Sequence, residues 1–136
     1  MKSMLISTKD KVISYISYSY EGRQHDYKIL KEVFTPEHDW FRKFTLKVDL
    51  GYLGIKKDYN CVSIEIPHKK TKLHPLTDSQ KNENKRMASA RINVEHSIGG
   101  MKRYRILSDR LRIHLIDFYD DIIGVCAGLW NFYLTN

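Results

Sequence analysis

The sequence predicts a mixed α/β domain, on three observations. Short runs rich in β-branched and aromatic residues fill the first twenty positions. Two more such runs lie between residues 44 and 67, the first ending on an acidic residue and a glycine turn. Two long segments of helical character make up most of the second half. With 136 residues there is room for one ordinary domain. Apolar residues at 42% and aromatics at 12% supply a core, which argues against a wholly disordered chain.

The elements follow in order. Met4 and Ile6, then Val12, Tyr15, Ile16, Tyr18 and Tyr20, flank the polar turn Ser7 to Lys11 and predict an antiparallel hairpin over 2–20, ended by Glu21-Gly22-Arg23. His25 to Phe34 predicts a short amphipathic helix stopped before Pro36. Phe44 to Val48 is a strand running into Asp49 and the turn glycines Gly51 and Gly54. Val62 to Pro67 is another, followed by a basic loop from Lys69 to Pro75. Thr77 and Gln80 have capping-box spacing, so a long helix starts there and runs to about Ile98, with Gly99-Gly100 ending or loosening it. Ile113 to Leu134 forms the last helix. Its apolar run is broken by His114, Asp117, Asp120 and Asp121, so it reads as a buried helix rather than a membrane span. A soluble cytoplasmic protein is the expectation, with Cys61 and Cys126 as reduced core thiols.

The net charge of +7 is unevenly placed. Residues 69–112 hold 12 Lys and Arg against 4 Asp and Glu, and the remainder holds 11 against 12. One segment carries the whole positive excess. That suggests a polyanion partner, most simply nucleic acid, although a solvated basic face has the same composition.

Two acidic residues stand out. Asp49 closes a strand, where α/β sheets place functional groups. It equally fits a turn aspartate bonding its own backbone. Glu95 falls at the border of a helical stripe made by Met87, Ala90, Val94, Ile98 and Met101. Asn84, Arg91 and Lys102 share that border. Arg91 can hold a phosphate by paired hydrogen bonds and Lys102 by point charge. The plainer alternative is an Arg91–Glu95 surface pair one turn apart.

Val48-Asp49-Leu50-Gly51-Tyr52-Leu53-Gly54 is similar to the "aDxGYxG" box around the second Asp of DDE transposases. Arg91-x3-Glu95-x6-Lys102 matches the spacing around their catalytic glutamate. Gly22-x-x-His25-Asp26 resembles their "GxxHD" turn, and Leu129-Trp130-Asn131-Phe132 their "LxNF" ending. The four boxes stand in register along essentially the whole chain, and the insertion-sequence and Harbinger-like group fits best. One departure is Ala88, where a related transposase group has a tyrosine.

The resemblance implies a ribonuclease H-like mixed sheet with flanking helices, and metal-dependent strand cleavage and transfer at transposon ends. Two Mg²⁺ (or Mn²⁺) ions are then expected, with Asp49 and Glu95 as catalytic metal ligands. Asn84, Arg91, Lys102, Lys69, Lys70, Arg103 and Arg105 are expected on DNA. In such a sheet the first, central strand carries the first Asp, and no counterpart precedes the hairpin. Asp10 lies in a turn that the family does not use for metal, and Asp26 sits on the wrong element to replace the missing ligand. Residues 1–136 are therefore expected to form a partial catalytic domain, truncated or split between reading frames and inactive alone. Its partners would be DNA and an N-terminal transposase fragment or intact transposase, with the protein nucleoid-associated when on DNA. The alternatives are a catalytically inactive DNA-binding or transposase-modulating fragment, or an unrelated basic α/β domain.

Overall fold

The computed structural model describes residues 1–108 and 115–136. The expected start of the last helix at Ile113 and His114, and the basic residues Arg110 and Arg112, lie outside them. The chain is mixed α/β, as expected, and forms two compact units. The first combines Met1–Gly22 with Ile92–Asn136, and the second is Arg23–Arg91.

In the first unit, β1 (Leu5–Ser7) and β2 (Ile13–Ile16) pair antiparallel with an irregularity between Ile6 and Ser7. Lys11 takes a positive φ in the turn between them, and a Lys2–Tyr20 bridge extends the pairing outward. The long helix α3 (Asp78–Lys102) contributes its last turns here, followed by α4 (Arg105–Ser108) and α5 (Ile116–Thr135). Ile13, Met101, Ile123, Cys126, Ala127 and Trp130 form the core.

Polar side chains then lock the hairpin to the helices. The Lys11 carbonyl accepts from Ser97 Oγ at 2.7 Å and from Trp130 Nε1 at 3.0 Å. Asn131, from the "LxNF" box, accepts from Ile13 N and donates to Ile13 O, both at 2.8 Å. Its amide copies the hydrogen bonds that a neighbouring strand would make with β2. Asp120 accepts from Ser19 N at 2.9 Å and Ser19 Oγ at 2.6 Å.

The helix α3 does not stop at Gly99-Gly100, as composition suggested. Gly100 is buried against Trp130, and a Cβ there would lie 2.3 Å from the indole Cε3. Gly100 thus marks a close approach, and packing outweighs the roughly 1 kcal/mol propensity cost of glycine. The expected apolar stripe is only partly inside: Met101 is buried and Met87, Ala90 and Val94 are half-buried, but Ile98 is 38% exposed. Ser97 and Gly100 take the closest-packed positions, which a hydrophobicity pattern does not show.

In the second unit, α1 (Asp26–Val33) is capped by His25, whose Nδ1 accepts from Tyr27 N at 3.3 Å. It buries Ile29 and Leu30. Phe34, Trp40, Phe41 and Tyr59 form a chain of edge-on and tilted rings, and the Tyr59 hydroxyl donates to the Phe34 carbonyl. β3 (Thr45–Lys47) and β4 (Ser63–Glu65) run parallel, with Leu46 opposite Ile64. Parallel strands need a crossover connection, supplied here by a 3₁₀ turn (Leu50–Tyr52) and α2 (Ile55–Asp58). The capping box forms as expected: Gln80 N donates to Thr77 Oγ1 at 3.2 Å, and Thr77 N to Gln80 Oε1 at 3.1 Å. Cys61 is half-buried, Cys126 is buried, and both are free thiols. Among the described residues no helix is long and apolar enough to cross a membrane.

Two predictions follow from this packing. Gly100→Ala should destabilise the fold by about 1–3 kcal/mol through overpacking on Trp130. Gly99→Ala, which meets nothing within 4 Å, should be neutral or stabilising by up to about 1 kcal/mol; urea unfolding of the two variants separates them. Burial, then the Asp58 charge, raises the Tyr59 hydroxyl from 10.0 to about 12. A raised phenol favours the folded state below pH 10.0 and loses that contribution as pH climbs through about 12. Tyr59→Phe should therefore show a shallower stability decline across that window than the native chain.

Candidate functional site

Asp49 follows β3, at the carboxyl end of the parallel pair, where Val48 N still donates to Glu65 O at 3.0 Å. Its side chain caps the 3₁₀ turn, Oδ1 accepting from Gly51 N at 2.8 Å. The turn aspartate and the strand-end aspartate are thus the same residue in the same conformation. Gly54 needs its missing side chain for conformation, with φ at 96°. Gly51 needs it for room: a Cβ there would sit 2.9 Å from Asp49 Oδ1 and 3.1 Å from Asp26 Oδ2.

Asp26 therefore comes to Asp49, which the sequence reading did not foresee. The two oxygens are no farther apart than the sum of those distances. α1 packs against the 3₁₀ turn, and the Tyr27 hydroxyl donates to Gly54 O at 3.3 Å and to the Asp58 carboxylate. Burial and Asp58 push the Tyr27 phenol well up. Tyr52 is pushed up to about 12, first by burial, then by the charges of Asp26 and of Asp49. Both charges thus act on the Tyr52 hydroxyl. The signal in the sequence was His25-Asp26 after the hairpin, an N-cap followed by a first-turn acid.

An open groove of about 480 Å³ lies beside Asp49, lined also by Leu50, Gly51, Pro67, Asn84, Ala88 and Arg91. Arg91 Nε is shut off from solvent and has no hydrogen-bond partner among the described residues. The Arg91–Glu95 ion pair that the spacing allowed is not formed within α3. Asn84 is tied to the loop after β4, its Oδ1 accepting from His68 N at 2.7 Å and its Nδ2 donating to His68 O at 3.1 Å. Beside it His68 Nε2 meets Glu83, and Arg86 reaches Glu65 at 3.6 Å. Ala88 leaves its part of the groove open, where a tyrosine would fill it.

The other candidates are placed as follows. Lys69 and Lys70 are exposed on the loop after β4. Glu95 and Lys102 are exposed on the part of α3 that belongs to the first unit, and Arg105 opens α4. The Arg103 guanidinium lies 5.3 Å from the Tyr133 ring centre and 5.8 Å from that of Trp130. Asp49, Asn84 and Arg91 are brought together on one groove. Among the described residues, no three His, Cys, Asp or Glu side chains gather as a metal-binding group.

A parallel strand ending in an aspartate and an arginine facing the same groove are consistent with the DDE-type resemblance carried by the four sequence boxes. The profile of that family, described as DDE superfamily endonuclease, matches residues 1–131, and the chain belongs to it. A curated relative, the "Probable transposase for insertion sequence element IS702" of Microchaete diplosiphon, is 34% identical over 117 residues. That match covers 85% of this chain and 40% of the relative, so the chain spans less than half of its length. No solved structure matches.

Asn84→Ala should remove both bonds to His68 and cost roughly 1–3 kcal/mol, read by chemical denaturation. Lys69→Ala on the same loop, whose exposed side chain takes no part in those bonds, should stay within about 0.5 kcal/mol of the native chain.

Proposed function

We propose that this chain carries the second and third acidic residues of a DDE transposase catalytic domain with a ribonuclease H-like fold. The observation that carries the reading is Asp49 at the carboxyl end of a parallel strand, on a groove shared with Arg91. Glu95, at family spacing from Arg91, is the third acidic residue, after Asp49 as the second. The first is supplied by the rest of a longer protein or by a separate N-terminal fragment.

The family's cofactor is a divalent cation, Mg²⁺ or Mn²⁺. The residues here fit such an ion on one local feature: the space over Gly51, which a Cβ would fill, is bordered by carboxylate oxygens. Oxygen donors of this kind suit hard cations. When bound, the ions stabilise the oxygens that attack and leave phosphorus in an in-line displacement. The chain's own residues do the positioning. Asp49 is fixed by its bond to Gly51 N, so its oxygens need little reordering to accept a cation. The buried Arg91 Nε lacks an acceptor among the described residues, and a DNA phosphate in the groove would provide one. Lys69, Lys70, Lys102, Arg103 and Arg105 add sequence-independent attraction to the DNA backbone, and Asn84 holds the loop on which the first two are carried. The working compartment is the cytoplasm, on the nucleoid when bound to element ends.

Mixed with an N-terminal fragment bearing the first Asp, the chain should cut element-end DNA only with Mg²⁺ or Mn²⁺, and Asp49→Ala or Glu95→Ala should lower cleavage by at least about 100-fold. Alone it should bind DNA without cutting. Binding should weaken steeply with salt, and Arg103→Gln should reduce the log–log slope by about one. Cleavage that survives Asp49→Ala overturns the catalytic reading. Binding unchanged in EDTA, with no cleavage under any pairing, favours a DNA-binding or transposase-modulating fragment instead.

A further inference from the structure

We infer that Asp26, the first residue of α1, shares a divalent cation with Asp49 across Gly51. The inference rests on the metal-dependent reading of Asp49 and adds a ligand which that reading does not contain. Its basis is the crowding at residue 51. Oδ2 of Asp26 and Oδ1 of Asp49 both border the position where any other residue would put a Cβ, at 3.1 and 2.9 Å.

Chance proximity would be easy to avoid in an exposed turn. Here the approach is built in from both sides. His25 caps α1 and fixes where Asp26 enters the helix. α1 packs on the 3₁₀ turn, and Tyr27, the next residue, is hydrogen-bonded to Gly54 O at the far end of the same loop. Asp49 is held by Gly51 N. Both oxygens border one Cβ-sized space, and a cation placed there would find a carboxylate donor on each side. Mg²⁺ needs no larger protein set, because one or two carboxylates, with water and substrate phosphate, complete its shell.

Asp26 also has a plain structural role, since an acid in a first helical turn is favoured by about 0.3–1 kcal/mol. That role predicts a change in stability and none in ion affinity. The two are separated with the full chain, using Tb³⁺ as the probe and Mn²⁺ and Mg²⁺ as competitors. Tyr52, the residue after Gly51, serves as the light-absorbing donor for Tb³⁺ emission.

Asp26→Asn and Asp49→Asn are each expected to weaken Tb³⁺ and Mn²⁺ binding roughly 10- to 100-fold. Asp26→Glu should recover part of the loss. Gly51→Ala should weaken binding as well, although it removes no ligand and its backbone needs no positive φ. Asp10→Asn, in the hairpin turn, should leave affinity unchanged. Circular dichroism of each variant identifies any that fails to fold, and Gly51→Ala then stands in for Asp26→Asn. Affinity unchanged in both Asp26→Asn and Gly51→Ala, but lost in Asp49→Asn, overturns the role of Asp26 and leaves the proposed function standing. Affinity unchanged in Asp49→Asn, or no binding by the native chain, overturns the shared site; the cleavage assay then decides the proposed function separately.

Discussion

The second unit is organised around a space with no side chain in it. Gly51 lets the N-terminus of α1 and the loop after β3 occupy one neighbourhood, with carboxylate oxygens 2.9 and 3.1 Å from where a Cβ would stand. Any larger residue must displace one carboxylate or the other. The conformation of Gly51 is ordinary and its crowding is not, so the constraint is steric. Gly54, three residues on, is the reverse: a left-handed backbone with ordinary contacts. The two glycines of one motif thus solve different problems, one placing the acids and the other turning the chain into α2.

The first unit depends on a different economy. Its hairpin strands are three and four residues long, too short to stand alone. Side chains from the helices complete them. Ser97 and Trp130 both donate to the Lys11 carbonyl, and Asn131 satisfies Ile13 at both N and O. Each bond is worth only about 0.5–1.5 kcal/mol, but a buried backbone group left without a partner costs more, which fixes the turn and the last helix in register. The close contact of Gly100 with Trp130 sets how near α3 can come to α5. Polar clamps and one close contact hold this unit together as much as apolar area does.

The features legible in the sequence were those governed by local rules. The hairpin, the capping box at Thr77 and Gln80, the helix before Pro36 and the strand ending at Asp49 each follow from nearby residues. Tertiary packing decided the rest. Gly99-Gly100 looked like a helix end because propensity is local, yet the indole of Trp130, thirty positions away, makes glycine the residue that fits. Ser97 is fully buried because it bonds Lys11, a contact no periodicity encodes. The ribonuclease H-like sheet was drawn from resemblance; the structure itself gives a parallel pair and an antiparallel pair. Asp26 was set aside because it starts a helix, and only the packing of α1 on the 3₁₀ turn brings it to Asp49.

On the proposed reading, charge balance gives a cation in the groove a second task beside ligation. A phosphate about 5 Å from one carboxylate is repelled by roughly 3 kcal/mol at an effective dielectric of 20. Asp26, outside the groove lining, adds a smaller repulsion, and Arg91, the groove's own cationic side chain, returns about one such increment at similar range. The sum stays unfavourable, and salt would weaken attraction from the exposed lysines more than repulsion from half-buried acids. A divalent ion at the proposed acid pair would reverse the sign locally, and Arg91 would then orient the phosphate rather than neutralise it. On that reading the acidic pair would admit a phosphate only where a metal ion is bound, which would tie DNA engagement to metal loading.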